Sequence, residues 1–175
     1  MSIGDRHTGA AARLLASVDA VVLDFDGTIK NSIQAKAEAF VALFPGAGRS
    51  VHDRIRAHHA AHGGVSRTEK LPLYMEWGGI SPSPERVRAM MTAFSHAVTE
   101  RVIASPWIVG YEAIAGLRQR FAHVGLFSAT PQGELSHILT ALEIVTWFDT
   151  IHGWPCDKAG VVRDLAAHLS ISPER

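Results

Sequence analysis

The spacing of hydrophobic residues along the chain changes with position and divides it into three parts. Four consecutive apolar residues at 20–23 predict a short buried strand, preceded by a short helix over residues 8–17. From Ser32 onward, apolar residues recur every three or four positions. This period predicts four helices and no strand up to residue 104, over residues 33–44, 51–62, 67–77 and 84–102. Pro72 lies inside the third of these and predicts a kink or a shortened first segment.

Beyond Pro106, helical and strand patterns alternate. Helices are predicted over residues 110–121, 132–142 and 158–169, with strands starting at Val124 and covering residues 148–152. Alternation of this kind predicts a parallel sheet with right-handed crossovers. The expected architecture is therefore an α/β core, residues 1–29 and 106–175, interrupted by a helical domain over residues 30–105. Hinges are expected near residues 28–31 and 104–107.

The first strand leads directly into the segment Asp24-Phe25-Asp26-Gly27-Thr28. Carboxylates at the end of an apolar strand are costly to bury unless a metal, a phosphoryl group or a proton transfer uses them. In open α/β sheets the carboxyl ends of the strands are also where ligands bind. The alternative is that these residues serve only turn formation.

Two later positions complete the pattern of strand ends. Ser128 ends the apolar run that begins at Val124, and Lys158 follows the predicted strand at residues 148–152. Singly, such a serine is usually a helix cap and such a lysine is usually solvated. Together with the acidic segment, and in this order, they indicate one site at the edge of the sheet.

Composition excludes several classes of function. The 17 basic and 17 acidic residues give a formal charge of zero, so no nucleic acid or anionic membrane partner is expected. No apolar stretch is long enough to span a membrane, and no secretory signal is recognisable at the N-terminus. A single cysteine, Cys156, fits a reducing, cytoplasmic environment, and no role is assigned to it.

The three motifs resemble the signatures of the haloacid dehalogenase superfamily, and the helical insertion resembles the cap of its phosphoglycolate phosphatase and β-phosphoglucomutase branch. The resemblance implies a Rossmann-like core with an inserted helical cap. Gly64-Val65-Ser66-Arg67 looks like the cap specificity loop of that branch. Arg67 would then meet an anionic part of the substrate, the other interpretation being a solvated residue in the first turn of a helix.

The resemblance assigns chemistry to the acidic segment. Asp24 would be the nucleophile that forms an aspartyl-phosphate, and Asp26 the general acid and then the base. The Asp24 side chain and the Asp26 backbone carbonyl would bind Mg²⁺. An acid at the position of Asp26 argues for phosphate esters rather than for dehalogenation.

The same resemblance assigns the phosphoryl oxygens to a second set of residues. Ser128 would donate a hydrogen bond and Lys158 a positive charge, with backbone amides around Gly27 and Ala129 as further donors. The expected activity is a Mg²⁺-dependent phosphatase, a phosphoric monoester hydrolase, that acts on a small phosphorylated metabolite such as a sugar phosphate or phosphoglycolate. A phosphomutase of the β-phosphoglucomutase type and a catalytically silent ligand-binding form are the alternatives.

One family feature is not found. The fourth signature, an acidic run on the next strand that supplies another magnesium ligand, has no counterpart before Arg175. The expectation is therefore a truncated form that lacks the C-terminal part of the core, of uncertain activity, and whose open sheet edge could self-associate.

Three neighbouring histidines raise a second metal hypothesis. His58 and His62 are four residues apart and could share a helix face with zinc, close to His59. No glutamate stands between them and no further ligands follow at a recognisable spacing. Histidines on the face of the cap, near the substrate, are the favoured interpretation.

Overall fold

The computed structural model describes residues 18–170, so the helix predicted over residues 8–17 lies outside the described residues. Three strands form one parallel sheet in the order β1-β2-β3. They are β1 (Ala20–Asp24), β2 (His123–Pro131) and β3 (Thr150–Trp154). The central strand β2 is the most buried, as expected for a strand with a neighbour on each side. The predicted α/β fold with a parallel sheet is confirmed.

Parallel pairing brings the carboxyl ends of the strands to one edge of the sheet. Asp24 is level with Phe127, and β2 continues from there to Pro131. The register between β2 and β3 shifts over this stretch, where the two strands come unusually close. A Cβ atom on Gly153 would lie 2.6 Å from the Cα of Gln132, so only glycine fits there. Because β2 continues beyond the end of β1, its polar residues Ser128 and Thr130 lie beside the segment that follows β1.

Four helices separate β1 from β2, as the sequence predicts. They are α1 (Ile33–Ala42), α2 (Arg49–Ala61), α3 (Arg67–Trp77) and α4 (Pro84–Ala104). The remaining helices are α5 (Gln132–Ala141), directly after β2, and α6 (Lys158–His168), after β3. None of the described helices is long and apolar enough to cross a membrane.

One hydrophobic core joins the helical insertion to the sheet. Phe40 of α1 stacks on Phe94 of α4 at 4.0 Å between ring centroids and meets Tyr74 of α3 edge-on at 5.1 Å. These side chains belong to the same buried cluster as Leu126 of β2 and Leu135 of α5. Burial of this shared apolar surface is the main force holding the four helices against the sheet.

The two chain segments that connect the insertion to the sheet run side by side. The amide of Asn31 donates to the carbonyl of Pro106 at 2.8 Å, and that of Ile108 donates to Ile29 at 3.0 Å. Between them, Lys30 is buried and its ammonium group donates to the carbonyl of Ile103 at 3.0 Å. The two connecting segments are therefore hydrogen-bonded to each other.

Some predicted elements differ in the structure. Residues 110–121 do not form an α-helix but a 3₁₀-helix over Tyr111–Gln119, in which no residue is buried. An α-helix gains most of its stability from a buried apolar face, and the apolar residues Ile114 and Leu117 of this segment are only partly buried. The strand predicted over residues 148–152 starts two residues later, because Phe148 packs into the core and pairing begins at Thr150.

The third helix differs from prediction in its details. It is a single continuous helix over Arg67–Trp77, so Pro72 lies inside it and does not shorten its first segment. The Ser66 hydroxyl does not accept a bond from a helix amide but donates to Glu69 Oε1 at 2.9 Å. Ser66 and Glu69 are spaced as in a capping box, but their side chains bind each other rather than the backbone.

Candidate active site

Asp24 and Lys158, 134 residues apart, meet at the carboxyl edge of the sheet. The Lys158 Nζ donates to Asp24 Oδ1 at 3.2 Å. Their side chains are 40% and 46% exposed, so this contact is open to a ligand from solvent. Lys158 is the first residue of α6, and the side chain of Asp157 caps that helix by accepting from the amide of Ala159. The pair is held by the end of β1 and the start of α6.

The chain turns sharply after β1 and carries Asp26 towards α1. The carbonyl of Phe25 accepts from the amides of Ile29 and Lys30, at 2.9 and 3.3 Å. Gly27 has a φ of +78°, and a Cβ there would lie 2.8 Å from Ile33 Cδ1. A larger residue would be strained in this position on both grounds. The turn therefore requires glycine for its backbone conformation, independently of the hydrogen bond to a phosphoryl oxygen that is expected from the amides around Gly27.

The Asp26 carboxylate is almost enclosed, with 14% of its side chain exposed, and accepts from groups on both sides of the cleft. From the helical insertion, Ser32 Oγ donates to Oδ1 at 2.6 Å and Lys36 Nζ donates to Oδ2 at 2.5 Å. From β2, the hydroxyls of Ser128 and Thr130 approach Oδ2 at 3.4 and 3.5 Å. Asp26 therefore links the insertion to the strand that carries Ser128.

These contacts determine the ionisation of Asp26. Burial by itself would raise the pKa of this carboxyl group, but the positive charge and hydrogen bond of Lys36 and the hydroxyl of Ser32 outweigh it. The net effect is a pKa below the ordinary value of 3.8. At neutral pH Asp26 is thus ionised, the form that accepts a proton.

Ser128 is placed as the sequence predicts, and its hydroxyl is shared. It lies in β2, 3% exposed, and accepts from the amide of Thr130 at 3.0 Å while it faces Asp26. Ala129, between them, lines the cleft under the helical insertion. Lys36 also donates to Thr130 Oγ1 at 2.8 Å, so one cation connects the two sides of the cleft.

The donor set at the sheet edge fits Mg²⁺ better than it fits zinc. The side chain of Asp24 and the backbone carbonyl of Asp26 are hard oxygen donors, and Mg²⁺ in proteins commonly takes one or two such groups together with waters and substrate phosphate. Within the part of the chain that the structure describes, no three histidine, cysteine or acidic side chains come together as a metal site. His58 and His62 stack at 4.2 Å between centroids without a third ligand. Zinc is therefore not supported.

Comparison with solved structures shows which fold this arrangement belongs to. A haloacid dehalogenase-like hydrolase from Streptococcus pneumoniae has a TM-score of 0.65 at 17% identity, covering 91% of this chain and 74% of its own. CbbY from Rhodobacter sphaeroides, in complex with xylulose 1,5-bisphosphate, has a TM-score of 0.67 at 16% identity, with coverages of 90% and 75%. The chain has the haloacid dehalogenase-like fold.

A protein assigned as a β-phosphoglucomutase, from Thermotoga maritima, has the same fold, with a TM-score of 0.62 at 24% identity and coverages of 90% and 74%. No family model matches the sequence, and no curated protein matches it. Within the haloacid dehalogenase-like fold, the helices α1–α4 stand where the sequence predicted a cap, and we call them the cap below.

Arg67, the residue predicted to meet an anion, is bound by a carboxylate of the core. Its Nη1 and Nη2 donate to the two carboxylate oxygens of Glu134, at 2.9 and 2.7 Å, and Nη1 also donates to Ser95 Oγ at 2.7 Å. Both partners are more than nine-tenths buried. Glu134 begins the helix after β2, so this pair connects cap to core at a second point.

Sequence reasoning missed several residues of this cleft. Lys36 has a readable signal, because it lies three residues after Ile33 and four before Phe40, on the apolar face of α1. Lys70 stands likewise between buried Arg67 and Tyr74 on α3. A lysine on the buried face of an amphipathic helix is unusual and indicates a partner or a ligand. The other residues missed are Ser32, Thr130 and Glu134, for which the sequence pattern gives no comparable signal. His59, one of the histidines expected on the face of the cap, lines the cleft.

The buried pair makes a direct prediction for stability. Replacing Glu134 by alanine leaves the guanidinium of Arg67 buried without its counter-ion, which typically costs about 3–5 kcal/mol. We expect the free energy of unfolding in urea to fall by about that amount in Glu134→Ala. The double variant Arg67→Met/Glu134→Leu is expected to lie much closer to wild type.

Control substitutions separate this effect from loss of any glutamate. Glu85 pairs with Arg88 at 3.3 Å on the exposed face of α4. Glu85→Ala is expected to leave the urea midpoint unchanged. Equal losses from Glu134→Ala and Glu85→Ala would show that the Arg67 pair contributes nothing specific.

Proposed function

We propose that the chain is a Mg²⁺-dependent phosphatase that hydrolyses a small phosphorylated metabolite through an aspartyl-phosphate. The observation that carries this proposal is the approach of Lys158 to Asp24 at 3.2 Å, with Asp26 two residues beyond β1 and Ser128 on the neighbouring strand β2. A carboxylate nucleophile, a proton-transferring carboxylate, a hydroxyl donor and a cation are the groups that transfer of a phosphoryl group requires.

Asp24 is the residue suited to attack phosphorus. It is the more exposed of the two carboxylates, and a phosphoryl group can reach it from solvent. Lys158 beside it and Ser128 on β2 supply positive charge and a hydrogen bond to the non-bridging oxygens as negative charge redistributes. Bound Mg²⁺ would supply further positive charge at the same place, held by Asp24 and the Asp26 carbonyl.

Asp26 is suited to move protons because of its enclosure and its partners. Ionised in the structure, it has the form required to take a proton from water in the second half-reaction. To donate a proton to a leaving oxygen it must first be protonated. A substrate phosphate that draws Lys36 away from Asp26 would favour this, because it removes the main charge that lowers the pKa of Asp26.

A phosphomutase is the second candidate, and the closed cleft is what favours it. A mutase must keep water from its aspartyl-phosphate while the intermediate reorients. Asp26 is 14% exposed and the cap contacts the core through Lys36 and Arg67, so water has limited access on the cap side. Formation of an isomeric phosphate ester, in place of inorganic phosphate, would distinguish the mutase from the phosphatase.

The experiment that tests the function is phosphate release from a panel of small phosphate esters, with Mg²⁺ and with EDTA. The expected result is Mg²⁺-dependent release that survives the control substitution Asp53→Asn, an exposed carboxylate of α2. Absence of release from every ester by a folded sample would contradict the phosphatase. Absence of any isomeric ester as well would favour the silent, ligand-binding form.

The other expectations remain proposals. A small phosphorylated metabolite is the partner that the proposed chemistry requires, and a cytoplasmic location fits the single cysteine, Cys156. Among the described strands β1 has β2 on one side and no partner on the other. An open strand edge of this kind would account for self-association if the protein proves to be oligomeric.

A further inference from the structure

A small cavity lies between the cap and the core, and its lining is basic. Its volume is about 20 Å³, room for about one water molecule. Four of the residues around it are basic: Lys36 of α1, His59 of α2, and Arg67 and Lys70 of α3. Among the described residues no carboxylate lines it, and Ala129 closes it from the core side. Cap and core share its wall, so a separation of the two would widen the space.

Two of the three cations around this cavity are already neutralised. Lys36 is bound to Asp26, and Arg67 is bound through both nitrogens to Glu134. Lys70 is different: its side chain is buried, and its contact is His59 Nδ1, at 3.1 Å. Among the residues that the structure describes, no carboxylate lies within ion-pair distance of Lys70. The negative charges of Asp26 and Glu69 raise the pKa of Lys70 through space, without direct contact.

His59 holds the ammonium group without neutralising it. Burial, together with the positive charges of Lys70 and Lys36, lowers the pKa of His59 to about 3, so its ring is neutral and Nδ1 accepts a hydrogen bond from the ammonium group of Lys70. Burial lowers the pKa of Lys70 to about 8, so most of it is still charged at neutral pH. An ammonium group has three N–H donors, and His59 uses one. The others are left for a ligand.

A buried charge without a counter-ion is costly, and an anionic ligand would relieve that cost. We infer that Lys70, positioned by His59, binds a second anionic group of the substrate, and that Arg67 does not. This inference rests on the proposed function. It restricts the substrate class to phosphate esters that carry another terminal anion, a carboxylate or a second phosphate, and makes Lys70 the residue that selects them.

Matched pairs of esters test this selection. Phosphoglycolate is compared with ethylene glycol phosphate, and a pentulose 1,5-bisphosphate with the corresponding 5-phosphate. The wild type is expected to prefer the two-anion member of at least one pair by about tenfold or more in kcat/KM, the effect of one charge-assisted hydrogen bond in a buried site. The pair that shows the preference distinguishes a carboxylate from a second phosphate.

Substitution of Lys70 identifies the residue responsible. Lys70→Met is expected to reduce the preference by about tenfold, through KM rather than kcat, and Lys70→Arg to restore part of it. The double variant Arg67→Met/Glu134→Leu is expected to change the preference by less than about threefold. A preference that persists in Lys70→Met but disappears in the double variant would assign the second anion to Arg67 and overturn the inference.

Binding without turnover separates this inference from the proposed function. Calorimetry in EDTA measures the affinity of the wild type for the same pairs of esters. It depends neither on catalysis nor on the correct folding of a variant. Tighter binding of a two-anion ester without turnover of any ester would support the Lys70 site and contradict the phosphatase. Turnover of both members of every pair at equal rates, with equal affinities, would support the phosphatase and overturn the Lys70 site.

Discussion

Replacing Asp24 by asparagine is expected to lower phosphate release on the order of 10⁴-fold or more, the scale seen when a covalent nucleophile is removed. The amide cannot form the acyl phosphate, although it preserves the shape of the side chain. Because Asp24 and Lys158 are both about half exposed, the substitution leaves no buried charge behind. The fold should therefore persist, with an unchanged circular dichroism spectrum and urea midpoint.

Comparing the loss of activity in Asp24→Asn with that in Asp26→Asn distinguishes the nucleophile from the general acid and base. Loss of a general acid or base typically costs about 10²–10⁴-fold, so Asp26→Asn should keep measurable activity. Good leaving groups, which need no protonation, should restore the first step of the reaction but not the hydrolysis of the aspartyl-phosphate. The measurement is kcat for each variant with a phenyl phosphate series of increasing leaving-group acidity. If Asp24→Asn retained activity close to that of Asp26→Asn, Asp24 would not be the nucleophile.

Lowering the pH from 7 to 5 is expected to reduce the free energy of unfolding by about 2 kcal/mol through His59 alone. Burial lowers the pKa of this histidine from 6.5 to about 3 in the folded protein. In the unfolded chain His59 binds a proton below about pH 6.5, whereas in the folded protein it remains neutral until the pH approaches 3. The stability is therefore fully present above pH 6.5 and is lost as the pH falls towards 3.

Urea unfolding of wild type and His59→Gln between pH 7 and pH 5 measures this contribution. The variant, whose amide does not titrate, should show a drop smaller by about 2 kcal/mol, with a residual slope to which His58 contributes because burial lowers its pKa too. His96→Gln, an exposed position on α4, is the control for loss of a histidine as such. Equal slopes in wild type and His59→Gln would show that His59 titrates normally.

Much of the fold follows from local pattern. The apolar run before Asp24 and the helical spacing of Ile33, Ala37 and Phe40 are visible in one sequence, and the structure has a strand and a helix there. The prediction of an α-helix at Tyr111–Gln119 was wrong, because packing partners decide which kind of helix forms there. No local sequence pattern shows those partners. The same holds for β3, whose start depends on where Phe148 finds space in the core.

The site was predictable where a strand end fixes the position of a residue. The meeting of Asp24, Asp26 and Ser128 at one edge follows from parallel strands, and the resemblance added Lys158. The contacts across the cleft were not predictable. Arg67 could be recognised as unusual, but its partner Glu134 is 67 residues away and on another domain. Pairings of that kind depend on how the cap sits on the core, which propensity and spacing do not encode.

The most direct test of the mechanism is to trap the phosphorylated residue. The protein is mixed with substrate and Mg²⁺, quenched in acid and treated with borohydride, which reduces an aspartyl-phosphate to homoserine. Mass spectrometry of the peptide that contains Asp24 and Asp26 then locates the change. We predict homoserine at position 24, dependent on substrate and on Mg²⁺. Homoserine at position 26, or phosphate release during turnover with neither carboxylate converted, would contradict the proposal that Asp24 is the nucleophile.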